Sequence, residues 1–169
     1  MGACQEHETI EAVRQILKQL YGLSPPPRGI NRIVRETIFF LYEGGDRGKW
    51  SVERPHSAEA RARRNEAGSR NGRLNGRNFP VTYDHAIPLD TLSDGLCKAT
   101  TSYEEMRDFL NRHVQGVVIL RKENKKLSNC GMRRCLPAGS PSHDLLARYR
   151  KAEIKFEPED EAKLKRETP

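Results

Sequence analysis

The residues of this chain best suited to chemistry stand together in the stretch Tyr83-Asp84-His85-Ala86-Ile87-Pro88-Leu89. Asp84 and His85 close a short β-prone run, Phe79-Pro80-Val81-Thr82-Tyr83, which places a carboxylate and an imidazole where a strand passes into a loop. Functional groups concentrate at such places, on loops carried by a rigid scaffold. An isolated Asp-His dipeptide is more often a turn-capping pair, so its weight rests on a second segment further along, Val117 to Asn129.

A basic run leads into the pair. The chain has 169 residues and a formal net charge of +7. Between residues 47 and 77, nine basic residues (Arg47, Lys49, Arg54, Arg61, Arg63, Arg64, Arg70, Arg73 and Arg77) stand against three acidic ones, whereas residues 1 to 46 are close to neutral. A concentrated positive field beside a candidate site is what a polyanionic substrate selects. An isolated charge run is usually a solvated connector. Here Arg61, Arg63, Arg64, Arg70, Arg73 and Arg77 share their segment with asparagines and glycines and run straight into Asp84-His85, which favours phosphate contact.

The elements that must position these groups can be read from periodicity. Residues 5 to 21 carry Ile10, Val13, Leu17, Leu20 and Tyr21 at three-to-four spacing, an amphipathic helix that Pro25-Pro26-Pro27 keeps from continuing. A second helix is predicted from about Gly29 to Tyr42, with Ile30, Ile33, Val34, Ile38 and Leu41 inward and Gly44-Gly45 stopping it. This hairpin, residues 1 to 46, reads as packing support with no chemistry of its own. Trp50 and Val52 suggest a short strand, Ser57 caps a helix to about Ala67, and residues 68 to 78 read as a loop. Ser102-x-x-Glu105 opens a further helix with Met106, Phe109, Leu110 and Val114 inward. Val117-Val118-Ile119-Leu120 is a strand, and Arg121 to about Asn129 a short polar helix. A last helix is predicted from His143 to about Ala152, with Leu145, Leu146 and Tyr149 inward and an Asp144–Arg148 ion pair along it. The residues from 157 to 169 are highly charged and predicted disordered. His56, His113 and His143 are expected at the surface or at helix ends, and Tyr83 beneath its strand.

Composition bounds the remaining choices. The length allows one domain with appendages and a real core. No apolar run approaches the roughly 18 residues of a membrane span, and the N-terminus lacks the pattern of a signal peptide, so no membrane partner and a cytoplasmic location are expected. Cys4, Cys97, Cys130 and Cys135 are scattered with no C-x-x-C pair, so structural zinc is not expected and the cysteines read as thiols in a reducing compartment.

Strand ending in Asp-His, connection, second strand, then a helix with an Asn in its first turn: this order is a ββα unit, and it resembles the HNH, or His-Me finger, nucleases. That superfamily carries a D-H-x-x-P-L signature followed by an apolar strand and a polar K-x-x-N-K-K-type helix. This chain has D-H-A-I-P-L and V-V-I-L-R-K-E-N-K-K-L-S-N. In pattern it is similar to the HNH domain of the RNA-guided CRISPR nucleases, which also pairs Asp-His with an early helical Asn and needs no zinc. The resemblance covers about residues 79 to 130. It implies an α+β fold with a ββα-metal finger core inside a nuclease domain of residues 47 to 156, flanked by helices, the N-terminal hairpin and the C-terminal helix. It also implies a divalent-metal-dependent DNA endonuclease, with duplex DNA as partner.

By that resemblance Asp84 and Asn124 are the metal ligands, with Asn129 a competing candidate. A single hard cation, Mg²⁺ or Mn²⁺, held by these two oxygens keeps waters and a free face for phosphate. His85 takes a proton from water as general base. Lys125, Lys126 and the 61 to 77 arginines hold flanking phosphates. The chain departs from the family at its middle Asn, which orients the histidine; Gln115 and Gly116 stand there, and Gln115 is the expected substitute. Two rival readings are an inactive basic nucleic-acid-binding module of the same fold and a toxin-like ribonuclease.

Overall fold

The computed structural model describes residues 3–23, 29–43, 51, 53–66, 80–88 and 91–165. Among them, helices α1 (Ala3–Tyr21), α2 (Ile30–Thr37), α3 (Ala58–Glu66), α4 (Ser93–Ala99), α5 (Tyr103–His113), α6 (Arg121–Asn129), α7 (Ala147–Lys151) and α8 (Pro158–Ala162) surround strands β1 (Val81–His85) and β2 (Gly116–Leu120). The fold is α+β.

The apolar stripes determine how the helices seat. Ile10, Val13 and Leu17 of α1 are fully buried, each contributing about 1.5–3 kcal/mol through removal from water. They pack with Leu96, Met106 and Leu110 of α4 and α5 in one core. Ser102 caps α5 by accepting from the Glu105 N–H at 3.1 Å. The second helix runs less regularly than its periodicity suggests. It is α-helical only over α2, and Ile38–Tyr42 winds as a π-helix, closed by a Glu43 N–H to Ile38 carbonyl bond of 3.0 Å. The wider turn shifts the phase of its own residues, so Ile38 is buried while Leu41, expected inward, is exposed. In α2 itself Val34 takes the buried position, and Ile33, also expected inward, is exposed.

β1 and β2 pair antiparallel, with Val81 opposite Leu120, Asp84 opposite Val117 and His85 opposite Gly116. The unbroken apolar run of β2 has a clear cause: all five of its residues are buried, and its second edge is also covered. Val118 donates to the Pro55 carbonyl (2.9 Å) and accepts from the Ser57 N–H (3.0 Å), and Ala58 donates to the Lys155 carbonyl (2.8 Å). Alternation along the strand divides its side chains. Val117 and Ile119 join the main core, while Val118 and Leu120 pack with Val81 and with Ala60 of α3.

β2 runs directly into α6, which packs against both strands. The buried Glu123 carboxylate stabilises this junction, accepting from the Leu120 N–H (2.7 Å) and the Ser57 hydroxyl (2.6 Å). Three expectations are corrected. Residues 157 to 165 are structured rather than disordered: Asp160 and Leu164 are buried, Asp160 in a bidentate pair with Arg61 (2.6 and 2.8 Å). His56 is fully buried in the extended segment that pairs with β2. Finally, only Ala147–Lys151 of the C-terminal helix is helical, and Asp144 pairs with Arg150 rather than Arg148. Trp50, Val52, the 68 to 78 loop and Leu89 lie outside the described residues.

Candidate active site

Asp84 and His85 occupy the last two rungs of β1, and strand alternation turns their side chains to opposite faces of the ribbon. Each is held by a different part of the chain.

On the core face, Tyr149 donates its hydroxyl to Asp84 Oδ2 at 2.8 Å, and the Arg148 guanidinium lies 3.4 Å from the same oxygen. Burial, together with the Asp84 charge, pushes the Tyr149 phenol well above its ordinary value, so it stays a donor. Arg148, itself buried, spends its remaining donors on the carbonyls of His85 (2.6 Å) and Met132 (2.7 Å). A buried guanidinium is tolerated only when its fork is satisfied in this way. Asp84 Oδ1 makes no hydrogen bond to any described residue.

On the other face, His85 Nε2 lies 2.8 Å from Glu43 Oε2, just beyond the π-helical turn. Glu43 Oε1 accepts from the Tyr83 hydroxyl. Arg54 reaches the same oxygen at 3.4 Å and donates to the Glu43 carbonyl at 2.7 Å. Burial alone pushes the Glu43 carboxyl up, but hydrogen bonds from His85 and Tyr83 and the Arg54 charge outweigh it, and the group lies below the usual range. Tyr83 is driven the opposite way, by burial and by the Glu43 charge, and keeps its proton. An ionised carboxylate has no proton to donate, so Nε2 carries the hydrogen that faces Glu43 and Nδ1 is the nitrogen turned away from it. The imidazole borders a cavity of about 300 Å³ lined by Arg35, Glu36, Phe39, Tyr83 and His85.

The side chain bonded to His85 is thus Glu43. The Gln115 amide, expected in that role, donates to the Gly116 carbonyl at 3.0 Å, and its backbone carbonyl accepts from Ala86 (2.9 Å). Gly116 has its own reason to be glycine: a Cβ there meets the Tyr83 hydroxyl at 2.0 Å, and even a shifted phenol loses its alignment with Glu43.

Asn124 sits half-buried in the first turn of α6, the helix that packs on the strand carrying Asp84. Its amide makes no hydrogen bond to a described residue, and Asn129 ends the same helix exposed. Lys125 and Lys126 are exposed beside it. The α3 arginines are committed elsewhere. Arg61 pairs with Asp160, Arg63 with Glu66 (3.0 Å), and Arg64 donates to His56 Nε2 (3.0 Å). Arg61 and Arg64 are engaged internally because their neighbours in space, Asp160 and His56, are buried groups that need partners. Arg70, Arg73 and Arg77 lie outside the described residues.

Sequence reasoning missed Glu43, Arg54, Arg148 and Tyr149. Nothing local marks them: Glu43 reads as a polar stop after an apolar helix, and Arg148 as half of an ordinary i,i+4 pair.

Among the described residues, no three His, Cys, Asp or Glu side chains cluster as a metal site, and no helix is long and apolar enough to cross a membrane. Asp84 Oδ1 at the end of β1 and the Asn124 amide oxygen in the first turn of α6 are hard oxygens of the kind Mg²⁺ takes in ones and twos alongside water. Asp84 Oδ2 is already saturated, so the donor set fits a single hard cation on Oδ1. In comparisons with known proteins, no family model, no curated protein and no solved structure matches this chain.

Proposed function

We propose that this protein is a metal-dependent endonuclease of the ββα-metal, HNH type, hydrolysing phosphodiester bonds in DNA. The observation that carries the reading is the antiparallel β1–β2 ribbon: β1 ends in Asp84-His85, and β2, leaving at the opposite end of the ribbon, passes straight into a helix that has Asn124 in its first turn and packs on both strands. Asp84 and Asn124 would hold the cation, which would supply charge relief on the phosphate and on the departing oxygen.

The chain's own residues supply the rest. His85 accepts the proton of the attacking water at Nδ1, and Glu43 opposite Nε2 stabilises the imidazolium that results. Arg148 and Tyr149 fix Asp84 through Oδ2 and leave Oδ1 open. Because Asp84 and His85 face opposite sides of the ribbon, this reading requires the scissile phosphate to lie across the ribbon's end. Lys125 and Lys126 contact neighbouring phosphates.

One observation favours a second reading, a nucleic-acid-binding module without activity: Arg148 already balances the Asp84 charge. Plasmid nicking with Mg²⁺, with and without chelator, separates the two. The wild type nicks only with metal, and His85→Ala loses about 10²–10⁴-fold in rate, the span expected for a general base. Cleavage untouched by chelator or by His85→Ala overturns the proposal. Preferential cutting of single-stranded RNA in the same buffer assigns the protein to the ribonucleases.

A further inference from the structure

We infer that Glu43 is the positioning residue of His85, so that the N-terminal hairpin forms part of the catalytic centre instead of only supporting it. The inference rests on the nuclease reading for its consequence and on geometry for its substance.

Glu43 is a carboxylate with a side chain only 2% exposed. Burying such a charge is costly unless donors converge on it. Here His85 does so at Oε2, and Tyr83 and Arg54 at Oε1. Local features of the chain serve the same arrangement. The π-helical turn Ile38–Tyr42 carries the chain round so that Glu43 meets the strand end, and such turns recur at functional sites. Gly116, directly opposite His85, leaves room for the Tyr83 phenol to lie over it and reach Glu43. Phe39 and Arg54 brace the Tyr83 ring, the first edge-on at 5.8 Å and the second over its face at 5.3 Å.

The arrangement does for His85 what a base needs. The carboxylate selects the tautomer with hydrogen on Nε2, turns Nδ1 away from itself, and fixes the ring plane. His85 is not packed on all sides, as a purely structural histidine would be; it borders the cavity shared with Arg35 and Phe39. A second cavity of about 320 Å³ is lined by Tyr42, Glu43, Arg54, Val114 and Gln115 among others. Glu43 thus lines one cavity and its partner His85 the other.

The test uses the full chain labelled with ¹⁵N at histidine, His85 being assigned by the resonance that His85→Ala removes. In the wild type at neutral pH, the two-bond proton–nitrogen spectrum shows His85 as the Nε2–H tautomer. In Glu43→Gln the preference is lost, and kcat for plasmid nicking falls about a hundredfold or more while KM moves less than about twofold, because orientation is lost and not binding. Tyr83→Phe removes one donor to Glu43 and gives a partial change in the same direction, which keeps the test open if Glu43→Gln does not fold. A wild-type His85 in the Nδ1–H tautomer, or a folded Glu43→Gln with tautomer and kcat unchanged, overturns the inference. The spectrum requires no activity. A chain that fails to nick DNA but shows the tautomer and its loss overturns the nuclease reading and leaves Glu43 as the group that sets His85.

Discussion

The two faces of one short ribbon differ more than their adjacent residues suggest. Asp84 is held from behind by Arg148 and Tyr149, contributed by a helix late in the chain, through a permanent cation and a phenol that keeps its proton. His85 is held by Glu43 and Arg54, contributed by segments that precede the strand, through a buried carboxylate and its donors. The Asp84 face is thus anchored by groups that do not titrate in the ordinary range. The His85 face depends on a chain of buried polar contacts that acid can undo. Two neighbouring residues are thereby held differently, and the proposed nuclease reading gives them different duties, ligand for Asp84 and base for His85.

The largest blow to this division should come from Arg148→Met. It leaves Asp84 with only Tyr149 and deprives the His85 and Met132 carbonyls of their donor. Removing one partner of a buried pair costs about 3–5 kcal/mol. Urea unfolding should show a loss of that order. A change under about 1 kcal/mol means Arg148 does not anchor the Asp84 face.

Acid should separate the faces next. Buried His56 donates from Nδ1 to the Arg54 carbonyl (2.6 Å), so it braces the residue that braces Glu43. Burial above all, with the nearby charges of Arg61 and Arg64, holds its pKa down to about 4, against the opposing hydrogen bond to the Arg54 carbonyl and the Asp160 charge. The unfolded chain therefore takes up this proton first as pH falls from about 6.5, while the folded chain resists until about 4, so stability drops across that window by up to about 3 kcal/mol. Glu43, with its pKa lowered, adds its own loss only below the ordinary Glu value of about 4.3. Unfolding midpoints at pH 7 and pH 4.5 should differ in the wild type and converge in His56→Gln. Equal slopes in both proteins count against a neutral buried His56.

Gly116→Ala should act on the His85 face alone and more gently. The new methyl displaces the Tyr83 phenol from Glu43, at about 1–3 kcal/mol for an overpacked contact. The His85 tautomer should loosen in the ¹⁵N spectrum, and the Asp84–Tyr149 bond should persist, visible as a retained slowly exchanging phenol proton. Loss of both signals together means that the two faces are one cooperative unit.

Periodicity made much of the scaffold legible. The stripe of α1, the Ser102 cap and the buried strand before a polar helix all follow from side-chain spacing, because burying an apolar face is a local instruction repeated every turn or every second residue. The Asp84-His85 pair and Asn124 could be singled out from residue type and order alone. The π-helical turn, the seating of Asp160 and Leu164, and the internal engagement of Arg61 and Arg64 could not, since each depends on a partner far away in sequence.

By itself, then, the sequence determined an α+β chain with a strand ending in Asp-His, a buried second strand, and a helix opening on Asn124. Only the tertiary structure decided which groups face them. Glu43 and Arg148 reach the strand end from distant segments because a buried charge must find donors or acceptors wherever the fold brings them, and no local pattern encodes that meeting.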